Sequence, residues 1–506
     1  MNNIKIRLVF VYSALLLMSG ILITMPSVLV AQKDPVDYAE TITEQDLESH
    51  LAVLANDSLE GRGAGSPGQA KAAEYIRNEF YQDQLISVSD TGFFQQFPLF
   101  QKYTDSVVIY HQDKVYSDDV VYLGETNLDE TLTTEVVFIG NGTPEEAEKI
   151  DLEGKAIAFW ESDYWRWRNR MKWGKERGVV AYLTILNGDQ QYLERVKNYT
   201  SRPQFYQEEP EQEPEEEEQI AFMITEKMAM EIFNTDEKGL SDFNRKKLLT
   251  TQIGLKAQKL TKKINMRNVV GMIPGTDLKN EAIIISAHYD HLGKSGELIY
   301  NGADDNGSGV ATVLEIAEAF ATAATEGNGP RRTVIFIALS SEEIGLFGSD
   351  YYVKQPLFPL ENTVTNLNID MVGRVDEVHQ ANPNYIYLIG SDKLSQDLHL
   401  LSEQVNSTFS NLELDYTYNR DDDPNRYYYR SDHYNFAKNQ IPVIFYFNGT
   451  HEDYHKPDDT IDKINFEIME KRARLIYYTA WEIANRDQRV VLDDTEEEKI
   501  QRNLEK

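Results

Sequence analysis

The sequence predicts an α/β protein whose main domain has three layers, with helices on both faces of a mixed, mostly parallel sheet. Apolar, β-branched runs such as residues 283–285 alternate along the chain with segments that are apolar at helical spacing, such as 310–324. Alternating strands and helices favour this architecture, because each helix can return the chain to the same edge of the sheet. A length of 506 residues exceeds one ordinary core, so a second folded unit is expected.

Polar residues gather where the first of these strands ends. The run that begins at Ile283 ends on His288 and Asp290, spaced as H-x-D. A loop then delivers Asp304 and Asp305 directly before Asn-Gly-Ser-Gly, where a helix is predicted to begin. Zinc binds imidazole nitrogen and carboxylate oxygen, and a bridging carboxylate can hold two ions about 3.5 to 4 Å apart. This stretch is therefore a candidate metal site.

Three later strand-like runs end in the same way. They lead to Glu342 and Glu343, then to Asp370, and finally to Tyr454 and His455. Two adjacent carboxylates at a strand end can point in different directions, so one can bind metal while its neighbour transfers protons. Open α/β sheets place their functional sites at the carboxyl ends of strands. The sequence therefore predicts a single polar site at this edge of the sheet.

In chain order, the motifs H-x-D, D-D-N-G-S-G, E-E-x-G-L-x-G-S, N-x-D-M-x-G and Y-H-x-x-x-D-T resemble those of the co-catalytic di-zinc aminopeptidase family. That family includes bacterial leucyl aminopeptidases, glutamate carboxypeptidases and glutaminyl cyclases. The resemblance covers residues 41–100 and 261–485, which implies a discontinuous zinc-peptidase domain.

The resemblance implies that two zinc ions share five ligands. His288, Asp370 and the bridging Asp305 would hold one ion, while Glu343, His455 and the same Asp305 would hold the other. Imidazole and carboxylate are ordinary zinc ligands, so the residue types agree with the implied metal.

The resemblance also implies three catalytic roles. Glu342 would be the general base, and Tyr454 would donate a hydrogen bond to the tetrahedral oxyanion. Asp290 would contact His288 on the side away from the metal and so fix the tautomer of its imidazole. Three further histidines match no ligand motif and are expected in loops or behind the ligands: His291, His433 and His451.

Residues 101–260 lack these motifs and contain several short strand-like runs. The phrase DLEGKAIAFWE, followed by a helical KWGKERG and the strand VVAYLTIL, resembles a protease-associated domain. We therefore expect a β-rich domain inserted into the peptidase domain, covering one side of its cleft. Residues 208–218 (EEPEQEPEEEE) predict a disordered acidic loop, and the charged tail 486–506 is expected to fray.

The N-terminal residues 1–31 have the layout of a secretory signal peptide. Lys5 and Arg7 precede an apolar run over 8–23, and Ala31 is a small residue at a suitable cleavage position. Cleavage predicts an exported protein, periplasmic or extracellular, without stable membrane insertion. The alternative is an uncleaved anchor, because the run approaches spanning length. The sequence has no cysteine, which excludes disulfides and a thiol protease.

The acidic composition limits the partners. With 83 acidic and 50 basic residues, the formal charge of −33 argues against nucleic acid and anionic membrane surfaces. Residues 164–173 (YWRWRNRMKW) interleave aromatic and basic side chains as single-strand binders do, but the acid excess favours an amphipathic helix with arginine stems packed on aromatic rings. Peptide substrates are the partners that the resemblance implies.

The loop 419–432 contains an unusual cluster of arginines: Arg420, Arg426 and Arg430. It precedes the last ligand strand, so it is a candidate wall of the substrate pocket. The alternative is a surface loop with internal ion pairs, because aspartates at 421–423 and 432 interleave with the arginines.

The resulting hypothesis is a metallo-aminopeptidase that removes residues from the amino end of peptides. A free α-amine is a cation, and the carboxylate-rich motif region should attract it. A carboxypeptidase of the same family would instead need arginines aimed at a terminal carboxylate. Two further alternatives are a glutaminyl cyclase, which in this family works with a single zinc, and a catalytically inactive binding module, against which the full ligand set argues.

Overall fold

The structure is a computed structural model, and it describes residues 34–124, 127–141, 149–160, 164–186, 190–210, 220–241 and 248–493. The predicted signal peptide, most of the acidic loop and residues 494–506 of the tail lie outside the described residues. Among the residues that are described, no helix combines the length and apolar character needed to cross a membrane.

The helices and strands follow the predicted alternation. The α-helices are α1 (Pro35–Ala39), α2 (Glu44–Leu54), α3 (Pro67–Gln82), α4 (Tyr164–Lys175), α5 (Gln190–Thr200), α6 (Glu226–Ile232), α7 (Glu237–Ser241), α8 (Gly309–Thr325), α9 (Phe347–Lys354), α10 (Gln396–Val405), α11 (His433–Ala437) and α12 (Phe466–Asn485). The strands are β1 (Ile86–Ser87), β2 (Phe94–His111), β3 (Lys114–Tyr116), β4 (Val120–Tyr122), β5 (Leu128–Gly140), β6 (Ala156–Trp160), β7 (Ala181–Leu186), β8 (Gln204–Tyr206), β9 (Ala221–Thr225), β10 (Leu249–Ile273), β11 (Leu278–His288), β12 (Gly293–Ser295), β13 (Leu298–Tyr300), β14 (Arg332–Leu339), β15 (Thr363–Ile369), β16 (Tyr385–Ile389), β17 (Glu413–Asp415) and β18 (Val443–Phe447).

The helices begin at residues suited to capping. The hydroxyl oxygen of Ser66 accepts a hydrogen bond from the backbone N–H of Gln69, and Pro67 occupies the first turn of α3, as the Ser-Pro-Gly sequence predicts. The side-chain oxygen of Asn465 likewise accepts from the N–H of Ile468 at the start of α12. These caps satisfy backbone donors that have no partner inside the helix.

The main domain contains a mixed sheet with the order β17-β16-β18-β15-β11-β14-β10. Strand β11 pairs in parallel with β14 and β15, and β15 pairs in parallel with β18. The antiparallel exceptions are β10 with β14 and β16 with β18. The predicted mixed, mostly parallel sheet is confirmed.

Helices cover both faces of this sheet, so the three-layer prediction is confirmed. Ile283 and Ile285 of β11 pack with Phe320 of α8 and Tyr477 of α12 on one face. Ile284, between them, belongs to a separate core on the opposite face, which also contains residues of α9 and α11. Successive side chains of a strand point to opposite faces, so a continuous apolar run is what a strand covered on both sides requires.

The inserted region shares two long strands with the main domain. Strands β2 and β10 pair along most of their length and run straight through the predicted boundaries near residues 100 and 260. Strands β5, β6, β7 and β9 are parallel neighbours, and α4 and α5 follow β6 and β7. The insertion therefore contains helices in addition to the expected strands. Its assignment as a protease-associated domain stays a prediction.

Two local expectations have different outcomes. The aromatic-basic segment forms α4 as predicted, with the Arg170 guanidinium carbon 4.9 Å from the centroid of the Phe159 ring. The expectation of a frayed tail is wrong for residues 486–493. Val490 is only 4% exposed, and the carboxylate of Asp397 accepts from Arg486 Nη2 at 2.5 Å and from Val491 N at 3.2 Å. Apolar burial and these hydrogen bonds fix this part of the tail to the domain.

Candidate metal centre

The predicted site residues meet at one edge of the sheet. Strands β11, β14, β15 and β18 are parallel neighbours, so their carboxyl ends lie side by side. Strand β11 ends on a predicted ligand, and the other three end shortly before theirs. One cleft is lined by all five predicted ligands and by two predicted catalytic residues: His288, Asp305, Glu342, Glu343, Asp370, Tyr454 and His455.

Asp305 lies between two groups of candidate ligands. Its Oδ1 lies 3.5 Å from Nε2 of His288, which is 3.3 Å from Oδ1 of Asp370. Its Oδ2 lies 3.1 Å from Nε2 of His455, which is 3.3 Å from Oε2 of Glu343. The two oxygens of one carboxylate thus face two different imidazoles. This arrangement suits a carboxylate that bridges two cations.

The donor set fits metal cations. The ligand atoms of His288, Glu342 and Asp370 lie within 4.8 Å of one another, as do those of His291, Asp305 and Glu343. Buried carboxylates packed this closely repel one another and are costly without a compensating positive charge. Imidazole nitrogens and carboxylate oxygens together are the donors that zinc accepts.

Glu342 and Glu343 are adjacent, but their surroundings shift the pKa values of their carboxyl groups in opposite directions. Burial, together with the Glu343 and Asp370 carboxylates, raises the pKa of Glu342 well above its usual value, although His288 opposes this shift. Burial also acts on Glu343, but its contacts with His291 and His455 outweigh burial and lower its pKa. Neighbouring carboxyl groups with pKa values pushed apart suit different chemical roles. The opposite pKa directions agree with the expectation of proton transfer for Glu342 and of metal ligation for Glu343.

Asp290 contacts both the Glu342–Glu343 turn and the His288 ring, through different atoms. Its carboxylate accepts hydrogen bonds from the backbone N–H groups of Glu342 and Glu343, at 3.1 and 3.4 Å. The contact to His288 Nδ1, at 3.1 Å, comes from the backbone carbonyl of Asp290. Asp290 thus lies beside His288 as expected, with its backbone carbonyl making the contact, and its role in fixing the tautomer stays a prediction. The chain turns after His288 so that the carbonyl points back to the ring while the carboxylate reaches the end of β14.

Tyr454 is placed to donate a hydrogen bond inside the cleft. Its ring stacks on His455 with centroids 3.9 Å apart, and its hydroxyl accepts from Arg430 Nη2 at 3.4 Å. Burial, reinforced by Asp305 and nearby carboxylates, raises the pKa of its phenol. The phenol therefore keeps its proton at neutral pH and can act as a donor.

A buried network supports the loop that carries Asp305. The carboxylate of Asp459 accepts from the backbone N–H groups of Asp304 and Asp305, each at 3.1 Å. Arg62, which is 1% exposed, donates to the carbonyls of Tyr289 and Gly302 at 2.8 and 2.9 Å. Neither residue was predicted to have a role. Asp459 is the aspartate of the Y-H-x-x-x-D-T motif, which was a signal for it.

His291, expected in a loop or behind the ligands, contacts the predicted ligand Glu343. Its side chain is 0% exposed, and its Nδ1 lies 2.7 Å from Oε1 of Glu343. Nδ1 is also 3.8 Å from Oδ2 of Asp305. Its place directly after Asp290, in the sequence H-x-D-H, was the available signal. The other two unassigned histidines differ: His433 stacks on Phe445, while Nε2 of His451 lies 3.3 Å from Oδ2 of Asp304.

Residues 268–480 match the model of Peptidase family M28. Over 238 residues the chain is 30% identical to a probable leucine aminopeptidase of Arthroderma otae, covering 46% of this chain and 61% of that protein. Over 233 residues it is 26% identical to aminopeptidase YwaD of Bacillus subtilis, and the match covers 44% of this chain and 46% of that protein. The chain thus spans between about half and three fifths of the length of these curated relatives.

Two solved structures share the fold. An aminopeptidase from Aneurinibacillus sp. strain AM-1 superposes with a TM-score of 0.51 at 19% identity, covering 92% of this chain and 99% of that one. The zinc aminopeptidase BSAP from Bacillus subtilis gives a TM-score of 0.51 at 17% identity, covering 88% and 96%. The matched region contains every strand end that forms the cleft. Residues 268–480 of this chain therefore form a peptidase family M28 domain, in agreement with the resemblance that its motifs predicted.

Proposed function

We propose that this protein is a zinc-dependent aminopeptidase that hydrolyses the first peptide bond of peptide substrates. The observation that carries this proposal is the position of Asp305, whose two oxygens face His288 and His455 on opposite sides. The relatives reported above are described as aminopeptidases, and BSAP is described as a zinc enzyme. Both comparisons support the same chemistry for this chain.

The chain supplies a complete set of ligands for two ions. In the proposal, His288 and Asp370 would hold one ion, Glu343 and His455 would hold the other, and Asp305 would contribute to both. Zinc bound there supplies an activated water and polarises the scissile carbonyl.

Proton transfer falls to Glu342 in this proposal. Its carboxylate accepts the proton of the attacking water and then delivers it to the leaving amine. Its raised pKa favours this role, because the group must both accept and release a proton. Asp290 holds Glu342 in place through the backbone N–H, and the Tyr454 hydroxyl donates a hydrogen bond to the developing oxyanion.

Two regions outside the metal centre, the N-terminal segment and the insertion, also have proposed roles. We propose that residues 1–31 direct export to the periplasm or outside the cell, and that residues 101–260 are a protease-associated insertion beside the cleft. Peptides are the proposed substrates. N-terminal sequencing of protein recovered from outside the cytoplasm tests the first of these proposals, since cleavage after Ala31 leaves Gln32 as the first residue.

The direction of cleavage is tested by blocking each end of a good pentapeptide substrate. Acetylating its N-terminus is expected to lower kcat/KM by about 10- to 100-fold or more, because a charged group that the cleft binds is lost. Amidating its C-terminus is expected to leave the rate nearly unchanged. Mass spectrometry of the products measures both effects. The opposite pattern would make the enzyme a carboxypeptidase. Conversion of an N-terminal glutamine to a pyroglutamyl residue with loss of ammonia, and without cleavage of the peptide, would make it a cyclase.

His291→Asn is expected to weaken zinc binding by about 10- to 100-fold, the usual cost of losing a residue that holds a ligand in place. The physical reason is the loss of the 2.7 Å contact that orients Glu343. Competition against a chelator with the purified full chain measures the affinity. His50→Asn is the matched control, because the ring of His50 contacts Tyr75 and Glu315 rather than a predicted ligand. Equal zinc affinity in the two variants would show that His291 does not contribute to zinc binding.

A further inference from the structure

The three arginines of the loop 419–432 occupy different environments. Arg420 donates from Nε and Nη2 to the carboxylate of Asp422, at 2.9 and 2.7 Å. The guanidinium carbon of Arg426 lies 4.8 Å from the centroid of the Tyr429 ring. Arg430 lines the metal cleft. The expectation of local ion pairs is therefore confirmed for Arg420, while Arg430 belongs to the cleft wall.

Arg430 is held at the cleft by aromatic side chains. Its guanidinium carbon lies 4.7 Å from the centroid of the Tyr427 ring, and its Nη2 donates to the hydroxyl of Tyr454 at 3.4 Å. Within the described part of the chain, no carboxylate forms an ion pair with it. Its side chain is exposed to solvent, so a substrate can reach it.

Arg430 is a candidate anion-binding group, because the other charged residues of the cleft already have proposed roles. The other charged residues lining the cleft are carboxylates and histidines that the proposed function assigns to zinc ligation or proton transfer. A guanidinium binds a carboxylate through two parallel hydrogen bonds and repels an amine. The cleft also presents apolar side chains beside it, which suit the methylene groups of a substrate: Met371, Phe445 and Phe447.

We propose that Arg430 is a specificity residue that binds a carboxylate of the substrate close to the scissile bond. The proposal rests on the aminopeptidase function proposed above. The carboxylate has two possible sources: an acidic side chain on the first residue of the substrate, or the terminal carboxylate of a dipeptide. Both sources place the same chemical group about one residue from the bond that is cleaved.

Two substrate pairs distinguish the sources. Glutamyl-p-nitroanilide and glutaminyl-p-nitroanilide differ only in a side-chain carboxylate, while leucyl-alanine and its amide differ only in a terminal carboxylate. The zinc-loaded full chain is expected to prefer the carboxylate member of one pair by about 10- to 100-fold in kcat/KM, and Arg430→Met is expected to abolish that preference. Losing the contact between Arg430 and Tyr454 could lower the activity on both members of a pair, and the ratio of their kcat/KM values cancels that common loss.

Arg426→Met is the matched control, because that arginine lies in the same loop but outside the cleft lining. It is expected to keep the preference of the unaltered protein. A ratio near one for both pairs in the unaltered protein, or an unchanged ratio in Arg430→Met, overturns the proposal for Arg430. If the neutral substrates are still hydrolysed, the aminopeptidase function stands. If no substrate of either pair is hydrolysed, both proposals are overturned.

Discussion

Replacing Glu342 with glutamine is expected to lower kcat by about 100- to 10,000-fold, the range attributed to general acid–base catalysis. Glutamine has nearly the same size but cannot accept the proton of the attacking water. The backbone N–H of residue 342 can still donate to Asp290, so the turn should keep its shape. Steady-state kinetics on a leucyl anilide, together with zinc analysis of the same preparation, measures the effect.

The zinc content decides what a loss of activity in Glu342→Gln means. Both ions are expected to remain, because the proposed ligands are untouched. Loss of one ion would instead place Glu342 among the ligands, an arrangement that its proximity to His288 and Asp370 makes geometrically accessible. Glu361→Gln, at an exposed turn, is the control and should keep full activity. If Glu342→Gln kept more than about a tenth of the original kcat, the loss would be too small for the removal of a general base.

Replacing Asp305 with asparagine is expected to remove both zinc ions and reduce turnover to the background rate. Asp305 is the residue whose two oxygens face both candidate ligand groups, and an amide is neutral and offers only one oxygen. The loss of zinc should also lower Tm in the presence of excess zinc, because ligand binding to the native state stabilises it by about 2.7 kcal/mol at 100 times Kd. Mass spectrometry of bound metal gives the stoichiometry.

Asp370→Asn is the comparison for Asp305→Asn. Asp370 lies beside His288 and accepts a hydrogen bond from the Ser431 hydroxyl at 2.6 Å. Because it belongs to only one of the two proposed ligand groups, its replacement should weaken the binding of one zinc ion and leave the binding of the other unchanged. The expected result is about one zinc ion per chain for Asp370→Asn and none for Asp305→Asn. Equal stoichiometry in the two variants would contradict a bridging role for Asp305.

Much of the fold was predictable from local pattern. Continuous apolar runs predicted the strands β11, β14, β15 and β18, and helical spacing over residues 310–324 predicted α8. The types and order of the five candidate ligands were predictable as well, because each follows a strand end or precedes a helix start. Parallel strands bring such ends together, so a site built at one edge leaves a trace in the sequence.

The contacts around those ligands needed the tertiary structure. The sequence placed Asp290 beside His288, but only the tertiary structure shows that the backbone carbonyl of Asp290 makes this contact while its carboxylate reaches the end of β14. His291 has no motif of its own, and its contact with Glu343 depends on how β11 and β14 pair. Side-chain direction over such short turns is set by packing between distant segments, not by spacing.

By itself, then, the sequence determined the alternation of strands and helices, the family of residues 268–480 and the identity of the candidate ligands, because all three are carried by residues close together in the chain. Only the tertiary structure separated Arg420, paired with Asp422, from Arg430, placed beside Tyr454. It also revealed that β2 and β10 continue through the predicted domain boundaries. These features depend on strand register and on contacts between residues far apart in sequence, which local composition does not specify.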